Sequence, residues 1–265
     1  MNYRREYFIE LAALAIFMMS AAVFGSLLEH PDSFAHRLAP DPVIRRVLMG
    51  TAMGLTAAAL IYSPWGRRSG AHMNPSVTLA FLRLGTIAPR DALFYVMAQF
   101  VGGVLGIAIA SLALDDVLAH PAVNYVATRP GTGGVWGAFT AEAAISFALM
   151  VVVLTMSNTP RLSRFTGVAV AMLLTAYITF VAPVSGMSMN PARTLGSEAL
   201  AGGWSSIWIY FVAPPLGMLG AAEAWRRLRP GRVVRCAKLQ HDSAAGCSFR
   251  CRFDQMPGCA QPSHL

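Results

Sequence analysis

Two asparagine-proline pairs stand out because they occur twice in similar surroundings. Residues 73–76 read Met-Asn-Pro-Ser and residues 189–192 read Met-Asn-Pro-Ala, and each tetrad interrupts an apolar stretch. The amide group of an asparagine has two N–H donors and one carbonyl acceptor. Two such groups facing one cavity could hold and orient a small polar molecule. This pattern therefore indicates binding chemistry, with Asn74 and Asn190 as the donors.

The same tetrads predict the elements that position these donors. Asparagine is a favoured N-cap and proline is favoured at the first helical position, so each tetrad predicts a helix start. The helices should cover residues 75–84 and 191–201, a length of roughly 15 Å, or half of a bilayer core. Two short helices at corresponding positions of two hydrophobic halves are typical of a permeation site at the membrane midplane.

The composition indicates an integral membrane protein. Mean hydropathy is +0.50 and 13% of the residues are charged, where a soluble domain carries about 25%. Residues 1–228 contain six apolar runs, each long enough to span a bilayer. The first run is too long for a signal peptide and lacks a small-residue cleavage site, so it should be retained. The predicted spans are 7–28, 43–62, 92–114, 135–156, 165–184 and 207–225.

The basic residues predict the orientation. The net charge is +8, and when the N-terminus is taken as cytoplasmic, sixteen of the 21 Lys and Arg residues lie inside and four outside. This bias and the six spans predict that both termini are cytoplasmic. The positive charge would contact anionic lipid headgroups, and we expect no nucleic-acid partner.

The two halves form a repeat in which the second half is inverted. Glu10 in the first span is matched by Glu142 in the fourth, and three spans per half is an odd number. Pairs of small residues four positions apart predict the faces on which helices pack closely. These pairs are Gly50 and Gly54, Gly102 and Gly106, Gly137 and Ala141, Gly167 and Ala171, and Gly217 and Ala221.

The two segments around the tetrads are residues 69–78, Ser-Gly-Ala-His-Met-Asn-Pro-Ser-Val-Thr, and residues 185–193, Ser-Gly-Met-Ser-Met-Asn-Pro-Ala-Arg. They resemble the two signature loops of the aquaporin, or major intrinsic protein, family. The resemblance implies an all-α membrane protein with six transmembrane helices and two re-entrant half-helices in an inverted repeat. It also implies a homotetramer in which each protomer has its own pore for water or small neutral solutes.

The resemblance implies roles for several residues. In the family, the asparagines of the Asn74-Pro75 and Asn190-Pro191-Ala192 boxes orient passing molecules and break a proton-conducting chain of water. Ser76 replaces the usual alanine, and its hydroxyl should bond within the first helical turn. Arg193 corresponds to the arginine of the family's constriction, where it repels cations.

Four further residues should be structural and buried. By the same resemblance, Glu10 and Glu142 accept backbone N–H bonds from the re-entrant loops, and Gln99 braces a loop together with Tyr95. His72 could be packed structurally or could sense pH.

The resemblance also implies the other constriction residues, two of which are located by their spacing from the second box. Met187 lies three residues before Asn190 and Ile178 twelve before it. The second-span member precedes a Gly-Leu pair in the family, which indicates Met53, whereas counting back from Asn74 gives Gly54; we prefer Met53. Met53, Ile178, Met187 and Arg193 would form a flexible and fairly apolar selectivity filter.

This filter lacks the aromatic residue and the histidine of strict water channels, and Thr194 replaces the aspartate of the glycerol-preferring branch. The lead-in at residues 183–186, Pro-Val-Ser-Gly, looks closer to the nodulin-like proteins of plants and their bacterial relatives. We therefore expect passage of glycerol, urea or metalloid hydroxides, with water among them, in a bacterial-type inner membrane.

Two other functions remain possible at this point. A secondary active transporter also uses broken helices, but it would need acidic coupling residues along its pathway. A structural protein could retain the channel fold, although the intact boxes and Arg193 argue against that role. An enzyme is excluded because the membrane core shows no nucleophile, metal-ligand set or phosphate loop.

The basic tail, residues 229–265, contains every cysteine of the protein. Transport itself should need no cofactor. The tail, however, has the pattern C-x4-H-x5-C-x3-C-x7-C. In a reducing compartment, clustered thiolates of this kind often bind a metal ion. Three cysteines with the histidine, or four cysteines alone, could form a tetrahedral zinc site. The spacing matches no standard zinc finger, so a disordered tail with free thiols is the alternative. The candidate ligands are Cys236, His241, Cys247, Cys251 and Cys259.

Overall fold

The computed structural model describes residues 3–229, 233–241, 247 and 249–252. Its main elements are eight helices, of which six are long and two are short. In chain order they are α1 (Arg4–Glu29), α2 (Pro42–Tyr62), α3 (Pro75–Arg83), α4 (Pro89–Leu114), α5 (Gly134–Ser157), α6 (Thr166–Phe180), α7 (Pro191–Ala201) and α8 (Ile207–Leu228).

The six long helices, with the short turns that precede α6 and α8, are long and apolar enough to cross a membrane. Five of them coincide with the predicted apolar runs to within a few residues. The fifth run, 165–184, is divided, because α6 ends at Phe180 and a separate short helix covers Ala182–Ser185. Proline has no N–H donor and disfavours helical geometry at the residue before it, so Pro183 accounts for the break.

The two short helices α3 and α7 begin at the asparagine-proline pairs. The side-chain oxygen of Asn74 accepts a hydrogen bond from the Ser76 N–H at 2.8 Å. Asn190 caps α7 in the same way, with 3.0 Å between its side-chain oxygen and the Ala192 nitrogen. Each cap satisfies a backbone donor that would otherwise be unpaired at the helix start.

The helices pack as two interlocked halves, α1–α4 and α5–α8. Within the halves, α1 packs on α4 and α5 packs on α8, while α2 and α6 pack on each other across the boundary. Each short helix crosses to the other half, so that α3 lies against α8 and α7 lies against α4. This symmetric exchange places the starts of α3 and α7 in the centre of the bundle.

Small residues allow the close helix contacts, as the sequence predicted for most pairs. A Cβ atom on Gly102 would overlap the carbonyl of Leu11 in α1, and one on Gly217 would overlap the carbonyl of Ala143 in α5. The interpretation was wrong for Gly137, where an added Cβ would meet no atom within 4 Å. Gly137 lies in the first turn of α5, on a side of the helix that faces none of the described residues, whereas its neighbour Ala138 is buried against Ile209 and Tyr210 of α8.

The described part of the tail packs onto the helical bundle and does not form a separate unit. Val234, Ala237 and Leu239 are buried in the same hydrophobic core as the helices. No pattern in the sequence indicates this contact, because these residues are too few to show a hydrophobic period.

Gly102→Ala should lower the thermal stability of the purified protein in detergent, because the new methyl group would push α4 away from α1. Overpacking of this kind costs about 1–3 kcal/mol. Gly137→Ala is the matched control and should leave the melting temperature unchanged. Equal melting curves for the two variants would show that the α1–α4 contact is not tight at Gly102.

Candidate functional site: a pore between the two halves

A cavity of about 300 Å³ runs through the centre of the bundle. Glu29 and Arg46 line one end, and Leu239 of the tail lines the other, which we call the tail-side end. Both asparagines line the cavity between these ends. Most of the remaining lining side chains are aliphatic or methionine, so the polar groups that face the cavity are few.

The two asparagines bind each other's loops at the centre of this cavity. Asn74 Nδ2 donates to the Met189 carbonyl and Asn190 Nδ2 donates to the Met73 carbonyl, both at 2.7 Å. Each amide nitrogen carries two hydrogens, and this bond uses one. The second hydrogen gives each asparagine a donor for a molecule in the cavity.

The helix starts add a positive electrostatic potential at the same place. Asn74 and Asn190 are the N-caps of α3 and α7, so the positive ends of both helix dipoles meet between them. A cation at this point would face two positive helix ends, whereas the oxygen of a neutral molecule would be attracted.

A buried carboxylate fixes the first re-entrant loop. Glu10 accepts hydrogen bonds from the backbone N–H groups of His72 and Met73 at 3.0 and 2.6 Å, and from the Ser69 hydroxyl at 2.7 Å. Gln99 donates to the same carboxylate at 2.8 Å. Glu10 is therefore a structural residue that satisfies loop donors inside the membrane zone.

Glu142 fixes the second loop with matching geometry. It accepts from the backbone N–H groups of Ser188 and Met189 at 2.9 and 2.7 Å, and from the Ser185 hydroxyl at 2.7 Å. Both glutamates are fully buried. The two halves of the repeat thus correspond in their individual hydrogen bonds as well as in their sequence.

These bonds hold the loops in an unusual backbone conformation. Ala71 and Met73 have φ of 54° and 48°, and Met187 and Met189 have φ of 49° and 55°. Left-handed backbone costs an L-residue roughly 1–2 kcal/mol. This conformation persists because the two carboxylates bind backbone N–H groups of the same loops. It turns the carbonyls of Met73 and Met189 toward the asparagine side chains that bind them.

Tyr210 is a structural residue that the sequence analysis missed. The Tyr95 hydroxyl donates to the Ser69 carbonyl at 2.7 Å, and the Tyr210 hydroxyl donates to the Ser185 carbonyl at 2.6 Å. Tyr95 follows Asn74 by 21 residues and Tyr210 follows Asn190 by 20, so the repeat could have revealed it. Gln99 has no such counterpart. It lies four residues after Tyr95, and the position four residues after Tyr210 is occupied by Pro214.

The four candidate filter residues, Met53, Ile178, Met187 and Arg193, all line the cavity. Gly54, the alternative to Met53, points at the Ala171 carbonyl of α6, since a Cβ there would lie 2.6 Å from that oxygen. Arg193 Nη1 is buried and has no hydrogen-bond partner in the described structure. An unpaired donor in a cavity wall is suited to a passing oxygen atom. Other lining residues that the sequence did not indicate include Phe17 and Met49.

Three neighbouring polar residues support the loops. Thr194 bridges two loops, with its Oγ1 2.5 Å from Ser188 Oγ and 2.9 Å from Thr128 Oγ1. Ser76 Oγ is buried without a described hydrogen-bond partner, so the expected bond within the first turn of α3 is wrong. The Met73 carbonyl, three residues before Ser76, is instead bound by Asn190 Nδ2 at 2.7 Å.

His72 lines the cavity and connects α3 to the tail. Its Nδ1 lies 3.0 Å from Thr78 Oγ1 and its Nε2 lies 2.6 Å from the Ala237 carbonyl. A carbonyl only accepts, so Nε2 carries the hydrogen of this bond. The ring is packed on both sides, against Phe81 and Phe249.

The tail brings Cys236, His241, Cys247 and Cys251 together, with their ligand atoms all within 4.8 Å of one another. The Sγ atoms of Cys236 and Cys247 are 3.5 Å apart, and His241 Nε2 is 3.1 Å from Cys251 Sγ. Hydrogen bonds from the thiols of Cys236 and Cys251 hold the pKa of Cys247 below its usual range. These four residues can hold a metal ion; Cys259 lies outside the described residues.

The model of the family described as "Major intrinsic protein" matches residues 2–225. The chain belongs to the major intrinsic protein family. Aquaporin NIP1-1 of Arabidopsis thaliana is 35% identical over 71% of this chain, and aquaporin NIP2-1 of Zea mays is 37% identical over 70%. The chain spans 64% and 61% of the lengths of these two relatives.

The aquaglyceroporin from Plasmodium falciparum has the same fold. The two structures align with a TM-score of 0.72 over 86% of this chain and 97% of the other, at 18% identity. The predicted fold class is therefore confirmed: an all-helical membrane protein of the major intrinsic protein type.

Glu142→Gln should destabilise the protein by about 2–3 kcal/mol, because an amide cannot accept all three bonds that the carboxylate accepts. Thermal unfolding in detergent measures the change. Glu223→Gln is the control, since Glu223 lies at the end of α8 in partly exposed ion pairs with Arg83, Arg226 and Arg227. Such exposed pairs are screened by solvent and contribute little to stability. Similar losses for both variants would contradict the scaffold role of Glu142.

Proposed function

We propose that this protein is a passive channel for water and small neutral solutes that excludes protons and ions. The observation that supports this best is the cross-bonded pair of Asn74 and Asn190, which face one cavity at the meeting point of two helix starts. The membership of the chain in the major intrinsic protein family supports the same function.

The proton block follows from the two donors. A water molecule that accepts hydrogen bonds from both asparagines turns its lone pairs toward them, and its own hydrogens point away along the pore. Neighbouring waters then cannot pass a proton through that point in a continuous chain. The positive helix ends also repel hydronium and metal cations.

A secondary active transporter is less well supported. The acidic residues inside the membrane zone that it would use, Glu10 and Glu142, are bound to loop amides and do not line the cavity. A purely structural role leaves the unpaired Arg193 donor in the pore wall without a purpose.

The filter assignment supports solutes larger than water. Met53, Ile178 and Met187 give the cavity flexible apolar walls, and Arg193 supplies one charged donor for a hydroxyl or carbonyl oxygen. Glycerol, urea and metalloid hydroxides have this combination of small size, neutrality and oxygen acceptors. The nodulin-like relatives are named aquaporins, which agrees with a water-permeable pore.

We also propose a zinc ion as the ligand of the four tail residues, with no cofactor needed for transport itself. In a tetrahedral Cys3His site the sulfur atoms lie about 3.8 Å apart. The spacing of 3.5 Å between Cys236 Sγ and Cys247 Sγ and the 4.8 Å limit on the whole group are close to that geometry. Three sulfurs and one imidazole favour zinc over magnesium or calcium, which prefer oxygen.

The channel proposal is tested with the purified, chelator-treated protein in liposomes. Water and glycerol fluxes measured by stopped-flow should rise linearly with the gradient and should not saturate, while proton flux stays at the level of empty liposomes. Arg193→Val should raise proton or cation leak by about tenfold, because it removes the fixed charge in the pore wall. Saturable transport that depends on an ion gradient would favour the transporter instead.

The filter proposal is tested by Met187→Phe with Ile178→His. This double change should reduce glycerol flux by about tenfold and water flux by less, because the ring becomes narrower and more polar. Leu200→Phe with Leu216→His is a matched control with exposed side chains on the outer surface. If the wild type passes water but not glycerol, the filter residues have been misassigned.

We further propose a homotetramer in a bacterial-type inner membrane, with both termini in the cytoplasm. The sixteen-to-four distribution of basic residues supports this orientation. A single cysteine at Asp32 should react with an impermeant reagent from outside the cell, and one at Ser163 only from inside, in a chain whose native cysteines are replaced by serine. The reverse pattern would overturn the orientation, and cross-linking in the membrane tests the tetramer.

A further inference from the structure

The tail reaches the pore itself. Leu239 lies 11 residues beyond the end of α8 and lines the same cavity as Asn74 and Asn190. It is 5% exposed. An aliphatic side chain from the tail thus forms part of the wall at the tail-side end of the pore.

Backbone hydrogen bonds fasten the tail to the first re-entrant loop. The Leu239 N–H donates to the Gly70 carbonyl at 3.1 Å, and the Ala237 carbonyl accepts from His72 Nε2 at 2.6 Å. Gly70 and His72 belong to the loop that Glu10 holds and that leads to Asn74. The tail therefore binds the rim of the pore directly.

Two further contacts hold the tail against the bundle at this end of the cavity. The Arg250 N–H donates to the Thr86 carbonyl at 3.0 Å, just beyond α3, and the Arg235 N–H donates to Asn158 Oδ1 at 2.7 Å, at the end of α5. Both halves of the bundle are thus bridged by the tail. The Phe249 ring covers His72 and Tyr95, with ring centroids 5.7 and 6.0 Å away.

The candidate zinc ligands flank the residues that contact the pore rim. Cys236 and His241 lie on either side of residues 237–240, and Cys247 and Cys251 lie on either side of Phe249. One ion bound by all four would tie the Leu239 segment to the Phe249 segment. The described tail residues contain no helix or strand to do so, so a bound ion would add a cross-link that offsets the conformational entropy lost when the two segments are ordered.

We propose that Zn²⁺ bound by Cys236, His241, Cys247 and Cys251 locks the tail as a plug in the tail-side mouth, and that the pore conducts when the ion is removed. Binding releases protons from the ligand thiols, and the reverse reaction takes them up. The proposal rests on the proposed channel function, because a plug has an effect only on a conducting pore. It gives the channel a response to intracellular zinc.

The first experiment compares one protein in two metal states. Full-length protein in liposomes is measured by stopped-flow with bound zinc, after treatment with a membrane-permeant zinc chelator, and after zinc is restored. Glycerol and water permeability should rise about tenfold on chelation and fall again when zinc is restored. A tenfold change corresponds to a plug that closes about nine-tenths of the zinc-bound channels. Elemental analysis should give one zinc per chain before chelation and none after it.

Variants separate metal binding from plugging. Cys247→Ser with Cys251→Ser should lose the zinc and conduct in either condition. Leu239→Ala with Phe249→Ala should keep one zinc per chain but conduct in either condition, because the sealing side chains are gone. Cys259→Ser is the matched control, since Cys259 is a tail cysteine outside the proposed ligand set; it should behave as the wild type does.

The outcomes distinguish this inference from the channel function. Equal fluxes through loaded and chelated wild type, with conduction in both, would overturn the plug and leave the channel proposal intact. Opening by a thiol reductant but not by the chelator would show a disulfide in place of zinc. If no form conducts, including the Leu239 and Phe249 double variant, the channel proposal itself fails. If that variant does not fold, the chelation result and the cysteine variants still decide.

Discussion

The binding of backbone amides by two buried carboxylates is the interaction on which the pore depends. Inside a membrane an irregular loop cannot give its N–H groups to bulk water, and each unpaired group costs several kcal/mol, roughly. Glu10 and Glu142 each accept two backbone N–H bonds and one serine hydroxyl. The loops can then enter the bundle and turn their asparagines toward its centre.

The two halves support each other through the same loops. Each asparagine caps its own half-helix with its oxygen and binds the carbonyl of the opposite loop with its nitrogen. A displacement of either loop would therefore loosen the helix start of one half and a carbonyl contact of the other. This reciprocity explains how left-handed residues such as Met73 and Met189 are held in place.

The symmetry ends at the two mouths of the pore. Arg193 supplies a charged donor in the half that begins at Gly134, and its counterpart in the first half, Val77, is apolar. The tail-side mouth has the tail instead, with Leu239 in the cavity and the Ala237 carbonyl on His72. His72 thus lies packed between the pore wall and the tail.

The sequence alone determined the membrane class, the six long helices, the two half-helices and the inverted repeat, because hydropathy, Asn-Pro caps and matched glutamates are local or periodic signals. Through the family resemblance it also indicated Ile178, Met187 and Arg193 by their position relative to the second box, and Met53 by the Gly-Leu pair that follows it. Only the tertiary structure shows that Met53 lines the cavity whereas Gly54 faces α6, since this depends on how α2 is rotated in the bundle. The docking of the tail was likewise invisible in the sequence, because contacts such as Leu239 with Gly70 join distant segments through single backbone bonds that leave no periodic pattern.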